Sequence, residues 1–309
     1  MQPIDRAELE RRCEDRSFWR ALVPWLTVDG SRPPAAPRAG GRGGAGAIDA
    51  ATARAERASL AEDGYFALER LIDPGRTEPL ARGIARLHER GVPPAYILVY
   101  DEAWDLVASL APAVEAILGG PCSPGSDSWA WYVDAATDSG FKPHRDNPVV
   151  EYRDADGRPT ASTVWVALSD AVPPGSCIYL LPTSLDPSYP RDPGALAVPD
   201  LKNVRALPAP RGTALGWHPG VLHWGARPAR RAAPRISLAT FWQLRAREPL
   251  YPPRLDLGLP LPFKARLGIV GKNVKNYYRE PDRAPVLEHA RGLQLYLDSV
   301  YTAFLAGER

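Results

Sequence analysis

The stretch FKPHRDNP (141–148) sets His144 and Asp146 two positions apart in a chain of 309 residues that holds only five histidines. In extended backbone, residues i and i+2 project from one face. An imidazole and a carboxylate here can therefore reach a common point while Arg145, between them, points away. Together they make two thirds of a metal-binding set, and the other histidines are the candidates for the last third. His88 in HERG and His289 in EHARG read as solvated surface residues. His218 and His223 lie in GTALGWHPGVLHWG, where GTALGW reads as a strand, HPG as a turn and VLHWG as the next strand. That order favours His223 and leaves His218 at the turn. Two neutral imidazoles and one carboxylate on a single face, with positions left open, suit a non-haem Fe(II) centre. A closed structural zinc site would need a fourth protein ligand, and the pattern offers none.

Twelve residues after His223 comes Arg235, followed at i+2 by Ser237. On a strand the two share a face, so a guanidinium and a hydroxyl can grip one carboxylate, the arginine through two parallel hydrogen bonds.

These residues need elements to hold them. From about residue 127 the chain becomes a series of short runs rich in Trp, Tyr, Val and Thr between Pro, Gly and Asp turns: SWAWYV, ASTVWVALS, SCIYLLP, VRALPA, GTALGW, GVLHWG and PRISLATFW. Close-spaced strands of this kind predict an antiparallel sandwich or barrel spanning about 120–245. A helical region, 1–118, precedes it. Residues 5–23 show helical spacing behind an Asp5 cap, a helix resumes near 48, GYFALERL (64–71) holds a short strand, Asp73-Pro74 starts a helix through His88, and another covers 101–118. Residues 29–47 are nearly all Gly, Pro, Ala, Arg and Ser, and read as a flexible segment. A last helix is expected over 284–305. The fold class is thus a mainly β core with surrounding helices, α+β, in a single catalytic domain over 1–309.

Composition narrows the partners. A net charge of +2, from 38 basic and 36 acidic residues spread along the chain, gives no basic stripe for nucleic acid. Cys13, Cys122 and Cys177 are odd in number and far apart, which reads as reduced, buried thiols. With neither a leader-like N-terminus nor a long apolar run, the chain is expected to be cytoplasmic and off the membrane.

Over roughly residues 127–243, the order and spacing of FKPHRDNP, TVWVALSDAVPPGSCIYLLPTS (163–184) and GTALGWHPGVLHWGARPARRAAPRISLATFW (212–242) resemble the phytanoyl-CoA dioxygenase-like branch of the Fe(II)/2-oxoglutarate-dependent oxygenases. The resemblance implies a double-stranded β-helix, a cupin-like jelly roll. It implies Fe(II) on His144, Asp146 and His223, and 2-oxoglutarate held at its distal carboxylate by Arg235 with help from Ser237, O2 being the co-substrate. Trp165 matches a position that often lines the co-substrate pocket, and Trp131 and Tyr132 are candidates for its wall. The reaction implied is hydroxylation, or desaturation or ring closure, of a small molecule or peptide in bacterial secondary metabolism. Related halogenases put a small residue where this chain has Asp146, which argues against halogenation. One departure is Leu181-Pro182-Thr183-Ser184-Leu185, where members often read P-G-S-H. Lys142, Arg145, Arg227, Arg230 and Arg231 flank the site and can attract an anionic substrate, while Trp217, Trp224 and Trp242 favour a partly apolar one. A jelly-roll metal enzyme that does not use 2-oxoglutarate, such as an isomerase, and a ligand-binding jelly roll without turnover use the same residues.

Overall fold

The computed structural model describes residues 2–35, 46–136, 142–147, 152–189 and 199–277. Its helices are α1 (Arg6–Arg12), α2 (Arg16–Leu22), α3 (Ala50–Glu62), α4 (Pro74–Glu89), α5 (Asp101–Leu118) and α6 (Phe263–Tyr277). Four of them begin on an aspartate whose carboxylate accepts a backbone N–H of the first turn: Asp5, Asp15, Asp49 and Asp73. The single helix expected over 5–23 is two. Asp15 takes the N–H and hydroxyl of Ser17 and starts α2, while the buried Trp19 indole donates to Cys13 O across the break. The segment expected to be flexible, 29–47, is described in part. Residues 36–45 lie outside the described residues, but Asp29 and Gly30 donate backbone N–H groups to the Asp101 carboxylate, and Arg32 and the Ala35 N–H bind Asp105. These polar contacts join residues 29–35 to α5. The helix expected over 284–305, and His289 with it, also lie outside the described residues.

Eight strands follow the expected runs: β1 (Tyr65–Leu68), β2 (Cys122–Val133), β3 (Ala161–Ala167), β4 (Ile178–Leu181), β5 (Arg205–Leu207), β6 (Ala214–Trp217), β7 (Leu222–Gly225) and β8 (Arg235–Leu244). They form a five-stranded antiparallel sheet, β1-β6-β3-β8-β2, and a three-stranded one, β5-β4-β7. Strand alternation divides the large sheet into two faces. Phe66, Val164, Val166, Ala214, Ile236, Leu238 and Trp242 join the core beneath the helices. Trp165, Ala167, Leu215, Trp217 and Ala239 face the other way, toward Ile178 and Leu180 of the small sheet. Gly216 is needed on the helix side, because a Cβ there would come within 2.1 Å of the Phe66 ring. All three cysteines are free and buried, as their spacing predicts. No helix among the described residues is long and apolar enough to cross a membrane.

The α6 helix was not foreseen. Leu267, Ile269, Val270 and Val274 are buried on it, and Arg266 makes a buried ion pair with Asp101 at 2.5 Å. The Gly268 and Gly271 interruptions weaken its signal in the sequence.

Candidate metal centre and its cleft

His223 lies on β7 and His144 in the loop after β2, 79 positions apart in sequence. They meet through a reciprocal backbone bridge: His144 N–H donates to His223 O (3.0 Å) and His223 N–H to His144 O (2.9 Å). The pairing sets the two imidazoles side by side, ring centroids 4.4 Å apart. Each Nδ1 lies against a carbonyl two residues upstream, Lys142 O at 2.8 Å for His144 and Val221 O at 3.0 Å for His223. Those contacts place the proton on Nδ1 and leave the Nε2 lone pairs for a ligand, the usual outer support of a metal-binding imidazole.

Asp146 completes the cluster. Its Oδ2 accepts from the Thr163 hydroxyl (2.7 Å) and the Trp217 indole N–H (3.0 Å), which turns Oδ1 toward the imidazoles. Oδ1 stands 3.5 Å from His223 Nε2 and 3.7 Å from His144 Nε2, too far for hydrogen bonds. The donor atoms of the three residues lie within 4.8 Å of one another. Burial, the largest influence, pushes the His223 pKa down to about 4 against the opposing pull of Asp146, so the ring is neutral at physiological pH. Two imidazoles and a carboxylate, arranged about one point, can hold a divalent cation.

The cluster opens onto a cleft of about 520 Å³, including the solvent space at its mouth. Arg235, the first residue of β8, lines it while 1% exposed. One guanidinium nitrogen donates to Ser176 O at 2.9 Å, and the group lies 5.9 Å from the Trp165 ring. Burial draws its pKa down to about 10, which leaves it charged at neutral pH. No carboxylate pairs with it among the described residues. Arg235 Nε, Ser237 Oγ and Trp165 Nε1 are buried with no hydrogen-bond partner among those residues. A buried cation with unused donors beside it is costly unless an anion fills the gap, and a carboxylate of a bound acid meets that need.

The structure brings His144, Asp146, His223, Arg235, Trp165 and Trp131 together on the cleft wall, with Ser237 on the same face of β8. Tyr132 is not among them. It follows Trp131 on β2 and so points to the opposite face, where its ring stacks on His88 at 4.0 Å. His88 is accordingly half-buried rather than solvated. Trp242 also leaves the site, buried in the helix-side core. Trp217 is more than apolar lining, since it orients Asp146. Thr163 and Trp129 are cleft residues that the sequence reading missed; Thr163 lies two positions before Trp165, so the same-face rule could have found it.

His218 stays outside the cluster, buried beneath Tyr189 and beside Arg153. Burial, then Arg153 and Arg145, push its pKa down to about 3. Its unfolded form takes up a proton near pH 6.5 while the native form does not. The unfolded state then binds more protons between those values, and native stability falls as pH drops through that window. We expect His218→Gln to flatten the loss of urea stability from pH 6.5 to 4 by on the order of 2 kcal/mol. Unchanged slopes would mean that His218 does not titrate on unfolding.

Arg145 is not the anion attractor its position suggested. Its guanidinium is buried, with Nη2 2.7 Å from Asp186 Oδ2 though off the hydrogen-bond axis, and Nη1 donating to Gly220 O at 2.7 Å. Lys142, Arg227, Arg230 and Arg231 are exposed and do not line the cleft. The departing stretch at 181–185 is also tied down: Thr183 donates its N–H to Asp63 O and its hydroxyl to Glu62 O. Arg145→Lys keeps the charge but loses the planar fork. It should lower stability by about 1–2 kcal/mol, read by thermal unfolding.

No family model and no curated protein matches the sequence. Solved structures do. The non-heme alpha ketoglutarate dependent epimerase SnoN from nogalamycin biosynthesis superposes with a TM-score of 0.51 at 21% identity, covering 63% of this chain and 84% of that one. The non-heme monooxygenase ThoJ gives 0.53 at 16%, covering 78% and 99%. AviO1 from Streptomyces viridochromogenes Tue57 gives 0.50 at 18%, covering 67% and 99%. The chain therefore has a fold shared with non-haem α-ketoglutarate-dependent enzymes, antiparallel sheets with surrounding helices.

Proposed function

We propose that the protein is an Fe(II)/2-oxoglutarate-dependent oxygenase: a single catalytic domain, of the jelly-roll type and akin to the phytanoyl-CoA dioxygenase-like enzymes, that hydroxylates a small molecule. The observation that carries this reading is the buried Arg235, which has no carboxylate partner and unused donors beside it among the described residues, opening onto the same cleft as the His144, Asp146 and His223 cluster. A metal site alone would serve many reactions; a second, anion-seeking site in the same cleft suits a keto acid held at both ends.

His144 and His223 would bind iron through Nε2 and Asp146 through Oδ1. The Nδ1 contacts and the Thr163 and Trp217 hydrogen bonds keep those atoms aimed. Arg235 and Ser237 would take the distal carboxylate, with the Trp165 ring beside the guanidinium. Bound iron, with 2-oxoglutarate and O2, supplies oxidation of a C–H bond coupled to release of succinate and CO2. The chain's own contribution is placement and shielding, and the indoles of Trp131, Trp165 and Trp217 keep water from much of the wall. With a carboxylate at position 146, the chain would supply three ligand atoms to the iron.

The test is succinate release by purified protein given Fe(II), 2-oxoglutarate and O2, alongside anaerobic titration of the Fe(II)–2-oxoglutarate absorption band. A band with a defined midpoint and oxygen-dependent succinate is the expected result. Metal binding without the band would favour a metal enzyme that does not use 2-oxoglutarate.

A further inference from the structure

The turn between β3 and β4 contains AVPPGSC, and its glycine is not where the backbone calls for one. Ser176 holds φ 71° and ψ 53°, in the left-handed region, while Gly175 beside it does not enter that region. Among the described residues only one other non-glycine, the exposed Arg70, has a positive φ. A side chain in this conformation crowds its own carbonyl, a cost that glycine escapes.

The serine hydroxyl offsets none of that cost within the protein. Ser176 is fully buried, and its Oγ has no hydrogen-bond partner among the described residues. Its backbone is occupied on both sides: the N–H donates to Pro173 O at 3.3 Å, and the carbonyl accepts from Arg235 Nη1 at 2.9 Å. A buried hydroxyl without a partner is thus a second cost on the same residue.

Strain of this kind persists at ligand clamps, where it serves the site. The location of Ser176 says which ligand. The residue that bears the hydroxyl is the one that holds the Arg235 guanidinium, and Arg235 Nε, Ser237 Oγ and Trp165 Nε1 are buried donors left over in the same neighbourhood. We infer that the Ser176 hydroxyl donates to the acid group that Arg235 binds, which makes it a contact of the co-substrate's distal carboxylate. The inference rests on the co-substrate reading proposed above. A carboxylate offers about four acceptor sites, enough for the guanidinium and both serine hydroxyls. A hydrogen bond to an ionised acceptor is also stronger than one to a neutral group, which gives the strained serine its use.

Ser176→Gly separates stability from binding. It relieves the left-handed backbone and removes the stranded hydroxyl, so the thermal midpoint of the unliganded protein should rise by about 1–3 °C. The same variant should weaken 2-oxoglutarate by about 10- to 100-fold, because a hydrogen bond to a charged group is lost. The readout is the midpoint of the anaerobic Fe(II)–2-oxoglutarate absorption band. Ser176→Ala keeps a side chain on the strained backbone and loses only the hydroxyl, and should weaken the acid to the same extent. Oxalate, which has no second end to offer Arg235, should bind all three iron-loaded proteins alike in titration calorimetry. A wild-type 2-oxoglutarate midpoint in either variant, a lower thermal midpoint in Ser176→Gly, or a loss of oxalate in parallel with 2-oxoglutarate would overturn the inference and leave the co-substrate reading intact. Absence of the band in the wild type would overturn both.

Discussion

Asp146→Ala is expected to abolish oxygen-dependent succinate release while leaving the fold standing. The carboxylate is the one anion of the cluster, and its Oδ1 faces both Nε2 atoms at 3.5 and 3.7 Å. Without it two imidazoles must hold a dication alone. The fold should survive because the side chain borders a solvent-connected cleft and is 23% exposed, a setting in which truncation costs on the order of 1 kcal/mol or less. Thr163→Val supplies the graded comparison. It removes one of two hydrogen bonds to Oδ2, and loss of such an orienting contact costs about 10–100-fold in metal affinity or activity. Bound iron, succinate and thermal midpoint are read on all three proteins. Full turnover in Asp146→Ala would refute the cluster as the metal site.

The second large effect belongs to Arg235. Arg235→Ala should weaken 2-oxoglutarate by about 2–5 kcal/mol, the usual cost of removing one partner of a buried, hydrogen-bonded charge pair. Arg235→Lys should fall between, keeping the charge but not the two-pronged geometry. The readout is the midpoint of the anaerobic absorption band in each protein. The wild-type group already spends one nitrogen on Ser176 O, which fixes the direction of the fork before any acid arrives. Equal midpoints in all three proteins would reduce Arg235 to a structural residue and return a 2-oxoglutarate-independent reaction to first place.

Much of this architecture could be read from the chain, for local reasons. Runs such as TVWVAL and ISLATFW alternate between two buried faces and are closed by Pro or Gly, so β3 and β8 fall where they were expected. The four aspartate caps act within three residues, but Asp15 was passed over because Phe18, Trp19 and Leu22 continue the apolar spacing across it. Tyr132 shows the limit of strand reading. Trp131 and Tyr132 cannot both face one cleft, yet which does so depends on Trp131 pairing with Ser237 across β2 and β8, a relation between segments 106 positions apart. Arg145 and Asp186 meet for reasons of tertiary packing alone, and nothing in either neighbourhood announces the other.

That pair changes what the triplet His144-Arg145-Asp146 is. Its outer residues line the cleft, and its middle residue is a root driven into the protein on the other side, set against Asp186 and the Gly220 carbonyl. The three letters are therefore not a portable cassette. Grafted onto another scaffold without an acid and a carbonyl beneath it, the same triplet would carry a cation with nowhere to go, and its two outer side chains would swing with it.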